Sequence, residues 1–422
     1  YFSEIPLDPS FFSGARLYTG VKNSLLGFNS TAGSIDWEWG QIEEEGRLGL
    51  TLGTDRMWGI SAYKGGSLGE QGRWQMAVMR ESGDGSVENG DFDLKRVSGR
   101  FEWVAGPGVL RLFGGYVDKF YGWPGLYTGI AALNETDDYS VGLVGFQWEG
   151  RLEHGYHRIG GYWRRLDDDY EFNRESPNRL FEHMTEVWSL QGDGLVEVAT
   201  LDLTYRWALL RDRIIRSTSL VHGTFNERDY AEGAVRVERR WATAAGELTP
   251  YAGLGTDTSS EESTVLLPMG GLRLSGATER GSWQLYAEYA EASQVPGYTV
   301  LNSAPEGLFG GNPNLGREKA ETLEVGLQVE EGSLSARAVL FRRKDKDLVD
   351  WVFEERSPSA RQAAAMASTV DGLEAGLRWE GEALEMELGY SYLEKDPRYA
   401  GSGGDASFYA LNYAQHRVLA TV

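Results

Sequence analysis

A strict alternation of apolar and polar residues runs along most of the chain and is the feature that most restricts its fold. Between residues 323 and 330, the apolar side chains are Leu323, Val325, Leu327 and Val329, with polar or small residues between them. A period of two places alternate side chains on opposite faces of a strand, whereas a helix needs a period near 3.6. Roughly 18 to 20 segments follow this pattern, often as hairpins with short turns containing glycine. The alternation therefore predicts an all-β protein.

Composition excludes several classes of function. The 422 residues include no Cys, which rules out disulfides, thiolate metal sites and a Cys nucleophile. The formal net charge of −22 argues against a nucleic-acid partner, because phosphates would be repelled. The sequence contains no His-Glu-x-x-His, Gly-x-Ser-x-Gly or P-loop motif. We therefore expect no enzyme and assign no catalytic residue.

The alternation leaves two environments open for the apolar face, a protein core or lipid. In a soluble β-rich binding module the apolar face packs inward, whereas in a membrane barrel it faces hydrocarbon and the polar face lines the lumen. Tryptophans such as Trp148, Trp188 and Trp207 stand near strand ends, where an interfacial aromatic belt would lie. Short turns also alternate with long polar connections, which favours the membrane barrel. The long connections are expected at about 81–93, 117–138, 166–180, 211–229, 293–320, 354–369 and 394–414.

Three parts of the chain resemble the TonB-dependent receptors of Gram-negative outer membranes. The first is the run GNPNLGREKAETLEVGL at 311–327, followed by strands at 333–350 and 370–393 in the order that the family shows. The second, 5–36, resembles the glycine-rich end of the family's plug domain. The third, 120–192, resembles the cobalamin-receptor branch. Its matching residues are Phe120, Gly122, Trp123, Tyr127, Tyr162, Trp163, Arg164, Arg165, Asp168, Tyr170, His183 and Thr185.

The resemblance implies an architecture and a function. It implies a transmembrane antiparallel β-barrel of the ~22-stranded type, with residues 1–36 as a plug remnant and 37–422 as a barrel that lacks its last strands. It implies energy-dependent uptake of a bulky, scarce ligand across the outer membrane, with cobalamin or another corrinoid favoured. The implied partners are outer-membrane lipid and the TonB energy-coupling complex, which would bind a segment absent from this chain. A ferric-siderophore receptor, a passive porin-like channel and a soluble binding module are the alternatives.

Two groups of residues are candidate sites. Tyr121, Trp123 and Tyr127 offer flat apolar surface for a large planar ligand, and Arg164 and Arg165 offer a second, polar contact. Four aspartates in or beside glycine-containing connections could ligate calcium, because hard oxygen ligands on bent backbone suit that ion. These aspartates are Asp84, Asp91, Asp93 and Asp118. No cofactor is otherwise required.

Overall fold

The computed structural model is almost entirely β-structure, as the alternation predicts. It describes residues 4–130, 132–177, 181–354, 357–399, 403–407 and 413–422. The N-terminal elements are a 3-10 helix (Pro9–Phe11), β1 (Phe12–Tyr18), α1 (Gly20–Leu26) and β2 (Ser34–Trp39). Among the described residues, no helix has the length and apolar content needed to cross a membrane.

The remaining elements form the wall of a barrel. The first half comprises β3 (Gly46–Leu52), β4 (Trp58–Leu68), β5 (Gly72–Gly83), β6 (Phe92–Ala105), β7 (Gly108–Gly122), β8 (Thr136–Leu152), β9 (Gly155–Glu171), β10 (Phe181–Val198), β11 (Leu201–Ser217) and β12 (Glu227–Arg239). The second half comprises β13 (Trp241–Thr243), β14 (Gly246–Ser259), β15 (Val265–Ala277), β16 (Gly281–Gln294), α2 (Tyr298–Asn302), β17 (Phe309–Gly310), β18 (Glu318–Glu331), β19 (Leu334–Glu354), β20 (Ser357–Glu380), β21 (Glu385–Arg398), β22 (Ala406–Ser407) and β23 (His416–Thr421).

The long strands of the wall pair antiparallel in sequence order, and β1 pairs with β2 in a separate two-stranded sheet. The expected domain boundary after residue 36 therefore falls inside β2, and the wall begins at Gly46. The strand order closes, with β23 next to β3, whereas the sequence predicts a wall several strands short of closure. Both of these strands are exposed along their whole length.

The two rims of the barrel differ in the length of their connections. One rim has short turns, such as 69–71, 106–107 and 153–154, and the other has long connections, such as 123–135 and 295–317. This alternation agrees with the sequence analysis. The long connection predicted at 354–369 is wrong, because β20 already begins at Ser357 and pairs with β19. Backbone hydrogen bonds to β19 hold this alanine-rich stretch extended, although alanine has little intrinsic preference for strands.

The outer face of the wall is apolar and the inner face is polar. Leu323, Val325 and Leu327 of β18 face outward and are each about half exposed. Their outward neighbours across the strand pairs are also apolar, as in the pairs Val325–Leu340 and Leu285–Leu327. Such a band can contact hydrocarbon, because every backbone group of a paired strand is satisfied within the sheet.

The N-terminal part of the chain lies inside the barrel, and we call residues 4–40 the luminal segment. Its Trp39 indole donates to the Gln147 side chain on β8 (2.9 Å), and its Asn29 backbone N–H donates to Glu232 on β12 (3.0 Å). Arg343 on β19 donates to the backbone carbonyl of Thr31. Strands this far apart in the wall can be reached together only from the lumen.

One short helix gives the luminal segment an apolar contact with the wall. Val21 and Leu25 are four residues apart, so they share one face of α1. They pack against Tyr251, Met269 and Ala290 of the wall, and all five are buried. The rings of Phe28 and Trp39 add apolar contacts, with centroids 5.9 Å from Tyr230 and 5.1 Å from Phe113 of the wall.

Candidate ligand-binding site

Two of the predicted aromatic residues meet at a buried aspartate near the long-connection rim. The hydroxyl groups of Tyr121 and Tyr127 each donate to Oδ2 of Asp137 at 3.0 Å, and the two hydroxyls are 3.5 Å apart. The Tyr127 ring also contacts the edge of Tyr170, with ring centroids 4.9 Å apart. Asp137 is almost fully buried. We call Tyr121, Tyr127, Glu135, Asp137 and Tyr170 the tyrosine–acid cluster.

The connection 123–135 folds back on itself to build this cluster. The backbone N–H of Trp123 donates to the carbonyl of Glu135 (2.9 Å), which brings the two ends of the connection together. The Glu135 carboxylate then accepts from the backbone N–H groups of Tyr127 (2.8 Å) and Thr128 (3.2 Å). Burial raises the pKa of the Tyr127 hydroxyl, and the neighbouring Tyr121 and Asp137 raise it further. Tyr127 therefore stays protonated and acts as a hydrogen-bond donor.

The third predicted aromatic residue does not join the cluster. Trp123 is 57 % exposed, whereas the tyrosine hydroxyls point at a carboxylate. The three side chains therefore do not form the continuous flat apolar surface that the sequence analysis expected for a planar ligand.

The two predicted arginines lie on opposite faces of β9. Arg158, which contacts Asp36 of the luminal segment at 3.8 Å, faces the lumen, and Arg164 is six residues further along the same strand. An even separation on a regular strand keeps the same face, so Arg164 also faces the lumen. Arg165 faces outward and pairs with Asp167 at 2.9 Å. Of the two predicted arginines, Arg164 is therefore the one that is placed to contact a ligand inside the barrel.

The four predicted calcium ligands each have a basic partner. Asp84 pairs with Arg56, Asp91 with Arg174, Asp93 with Arg80, and Asp118 with Lys95. The hydrogen bond from Arg174 lowers the pKa of the Asp91 carboxyl. Within the described part of the chain, no three Asp, Glu, His or Cys side chains are grouped as a metal site would require. The geometry of these four aspartates therefore does not support a shared calcium site.

The sequence analysis missed the residues that hold the luminal segment. Arg100 on β6 is buried and donates to the carbonyls of Phe11 (3.2 Å) and Gly40 (2.6 Å), and its guanidinium lies over the Trp39 ring. Gln294 on β16 accepts from the backbone N–H of Thr31 at 3.4 Å. The alternation predicts that these wall residues face inward. Which of the inward-facing residues contact the luminal segment depends on the path of that segment, which the alternation does not predict.

Comparison with known proteins identifies the fold. Residues 20–418 match the family described as TonB dependent receptor-like, beta-barrel. No curated protein matches the chain in sequence. The siderophore receptor PirA from Pseudomonas aeruginosa has a similar structure, with a TM-score of 0.69 and 14 % identity, covering 88 % of this chain and 70 % of that protein.

Two further solved structures show the same fold. The copper transporter OprC has a TM-score of 0.68 at 16 % identity, covering 93 % of this chain and 67 % of its own. The ferripyoverdine receptor of the outer membrane of Pseudomonas aeruginosa, bound to ferripyoverdine, has a TM-score of 0.68 at 11 % identity. The match covers 97 % of this chain and 63 % of that protein. The chain thus spans about two thirds of the length of these proteins.

The family match extends over nearly the whole wall and over α1 of the luminal segment. Members of the family are receptors and transporters of Gram-negative outer membranes, which agrees with the expectation that the chain is not an enzyme. The chain belongs to the TonB-dependent receptor family.

Proposed function

We propose that this chain takes part in the energy-dependent uptake of a ferric siderophore across the outer membrane. In this proposal the luminal segment is the end of a plug domain, and the TonB complex acts on the plug to open a path. The proposal rests on the luminal segment and on the chemistry of the wall that surrounds it.

The position of the luminal segment argues for a gated receptor over a passive channel. A passive channel needs an open lumen, whereas this segment contacts β6, β8, β12 and β19. Most of these contacts are hydrogen bonds to side chains, which water can replace at little cost. A plug held in this way can move when it is pulled, and an apolar seal of the same area would resist more strongly.

The inner wall favours a siderophore over a corrinoid. Arg96 of β6, Lys119 of β7 and Arg164 of β9 place positive charge on the luminal face of the wall. An iron chelate presents many oxygen atoms and often a negative charge, so it can bind such cations. A corrinoid would gain most from a broad apolar surface, which Trp123 alone does not provide. The siderophore receptor PirA and the ferripyoverdine receptor support the same choice.

Growth and uptake measurements test the proposal. Cells that lack other iron-chelate receptors and carry the complete receptor should grow on a ferric siderophore only when TonB is functional. Arg164→Ala should lower uptake of radioactive iron about tenfold, because a charged hydrogen bond to the ligand is lost. Arg165→Ala is the matched control and should leave uptake unchanged, since that side chain faces outward. Uptake without TonB would favour a passive channel, and growth dependent on cobalamin alone would favour the corrinoid.

A further inference from the structure

A carboxylate of the luminal segment occupies a positively charged site on the inner wall, close to the tyrosine–acid cluster. Glu4 lies 3.6 Å from the Arg96 guanidinium on β6 and 3.6 Å from the Lys119 ammonium on β7. The Tyr139 hydroxyl on β8 donates a hydrogen bond to the same carboxylate. We call Arg96, Lys119 and Tyr139 the anion site.

The wall positions Lys119 and Tyr139 without help from Glu4. The Lys119 ammonium lies 5.5 Å from the ring centroids of both Tyr121 and Tyr139, so two aromatic faces hold it. Tyr139 is buried with Val117, Val141 and Leu166 in one apolar cluster, which fixes the direction of its hydroxyl. The anion site is therefore a built feature of the wall.

Glu4 does not use every hydrogen-bond donor of the anion site. The Arg96 Nε is buried and has no hydrogen-bond partner, although Glu4 lies beside the other end of the guanidinium. A guanidinium offers five N–H donors, and a ligand with several acceptors can use those that Glu4 leaves open.

The luminal segment fits this part of the wall closely. A methyl group at Gly115 on β7 would lie 1.8 Å from the Pro6 carbonyl oxygen, so only glycine allows the observed approach. The backbone N–H of Asp8 then donates to the Ser98 hydroxyl on β6 at 3.0 Å. Residues 4–8 therefore follow β6 and β7, and loss of the Glu4 contact would free the end of this stretch.

We propose that the anion site binds a carboxylate group of the transported ligand, and that this group displaces Glu4 and loosens the luminal segment. This inference rests on the proposed function for the role of the ligand, but the site itself is testable without transport. Glu4 is the internal competitor, so the site is open only in the fraction of molecules in which Glu4 has left. Two wall carboxylates lie near the anion site: Asp137, which accepts hydrogen bonds from Tyr121 and Tyr127, and Asp168, which is the cross-strand partner of Tyr139.

Calorimetric titration with citrate on the full chain in detergent tests the anion site. Glu4→Gln should bind citrate about tenfold more tightly than the native chain, because the charged competitor is gone. Lys119→Met should weaken citrate binding at least about tenfold, since a charged hydrogen bond is lost. Lys95→Met is the matched control and should bind as the native chain does, because Lys95 pairs with Asp118 and lies outside the anion site.

A second measurement reports on the movement of the luminal segment. The chain has no Cys, so Ser10→Cys gives a single attachment point for a spin label on an exposed residue. Citrate should increase the mobility of this label in the native background and have a smaller effect with Glu4→Gln, where the segment is already loosened. Equal citrate binding by native and Lys119→Met chains would overturn the inference, and so would a label that citrate leaves unchanged.

These outcomes stay separate from the transport proposal. If Lys119→Met does not fold, Arg96→Gln removes the other cation and should weaken citrate binding in the same direction. Failure of siderophore-dependent growth with intact citrate binding would remove only the proposed ligand class. Failure of citrate binding with intact siderophore-dependent growth would remove only the anion site.

Discussion

The outer and luminal faces of the barrel wall come from the same strands but meet different partners. On β18, Leu323 and Val325 face outward, whereas Glu324 between them faces the lumen beside Gly20 of the luminal segment. The outer face needs only to be apolar, because the sheet satisfies its own backbone. The luminal face must hold a second part of the chain through polar contacts. The two faces should therefore respond differently to a charge added or removed.

Adding a charge to each face gives the largest expected difference. Val325→Arg places a guanidinium near mid-height of the outer face and should lower the free energy of unfolding by about 2–4 kcal/mol. Gln328→Arg, on the luminal face of the same strand, should change it by no more than about 0.5 kcal/mol. Denaturant unfolding from lipid vesicles measures both. Equal losses in the two variants would contradict the assignment of the outer face to lipid.

Removing a luminal cation should release the luminal segment while the wall stays folded. Arg100→Ala removes the charged donor to the carbonyls of Phe11 and Gly40, although the Phe11 carbonyl keeps the backbone N–H of Gly40 as a donor. This loss should weaken docking of the segment by about 2–3 kcal/mol. Amide hydrogen exchange over the luminal segment should then increase, with little change in the wall strands. The control is Arg378→Ala, whose side chain pairs with Glu380 of its own strand and with Glu385 of the neighbouring strand. Similar exchange in both variants would mean that Arg100 does not hold the segment.

The sequence predicts the faces of the wall better than it predicts the contents of the lumen. Alternation alone assigns Leu323 and Glu324 to opposite faces, and applied to β9 it also separates Arg164 from Arg165, which the motif-based interpretation had grouped. It does not predict that Tyr127 folds back onto Asp137, because that contact depends on the path of a connection. It also does not predict that Arg100 meets Phe11 and Gly40, which are distant in sequence. Periodicity is a local property, whereas these contacts are set by tertiary structure.

Removing one partner of an ion pair on each face should give the smallest difference in unfolding free energy. Arg158 and Asp193 pair at 2.8 Å on the luminal face, where Asp36 of the luminal segment lies 3.8 Å from Arg158. Arg80 and Asp93 pair at 3.1 Å, with the arginine half exposed. Asp193→Asn should cost about 1.5–3 kcal/mol, because a charged hydrogen bond is lost in a partly buried place. Asp93→Asn should cost less than about 1 kcal/mol.

High salt should increase the difference between the effects of the two substitutions on the unfolding free energy. Screening shortens the Debye length from about 10 Å at 0.1 M to 3 Å at 1 M, and it acts most strongly on exposed charges. The effect of Asp93→Asn on the unfolding free energy should therefore disappear at 1 M salt, whereas most of the effect of Asp193→Asn should remain. If both effects disappear together, the lumen around Asp193 is as well solvated as the outer rim. The polar contacts of the luminal segment would then be weaker than their distances suggest, and a plug held by them would need little force to move.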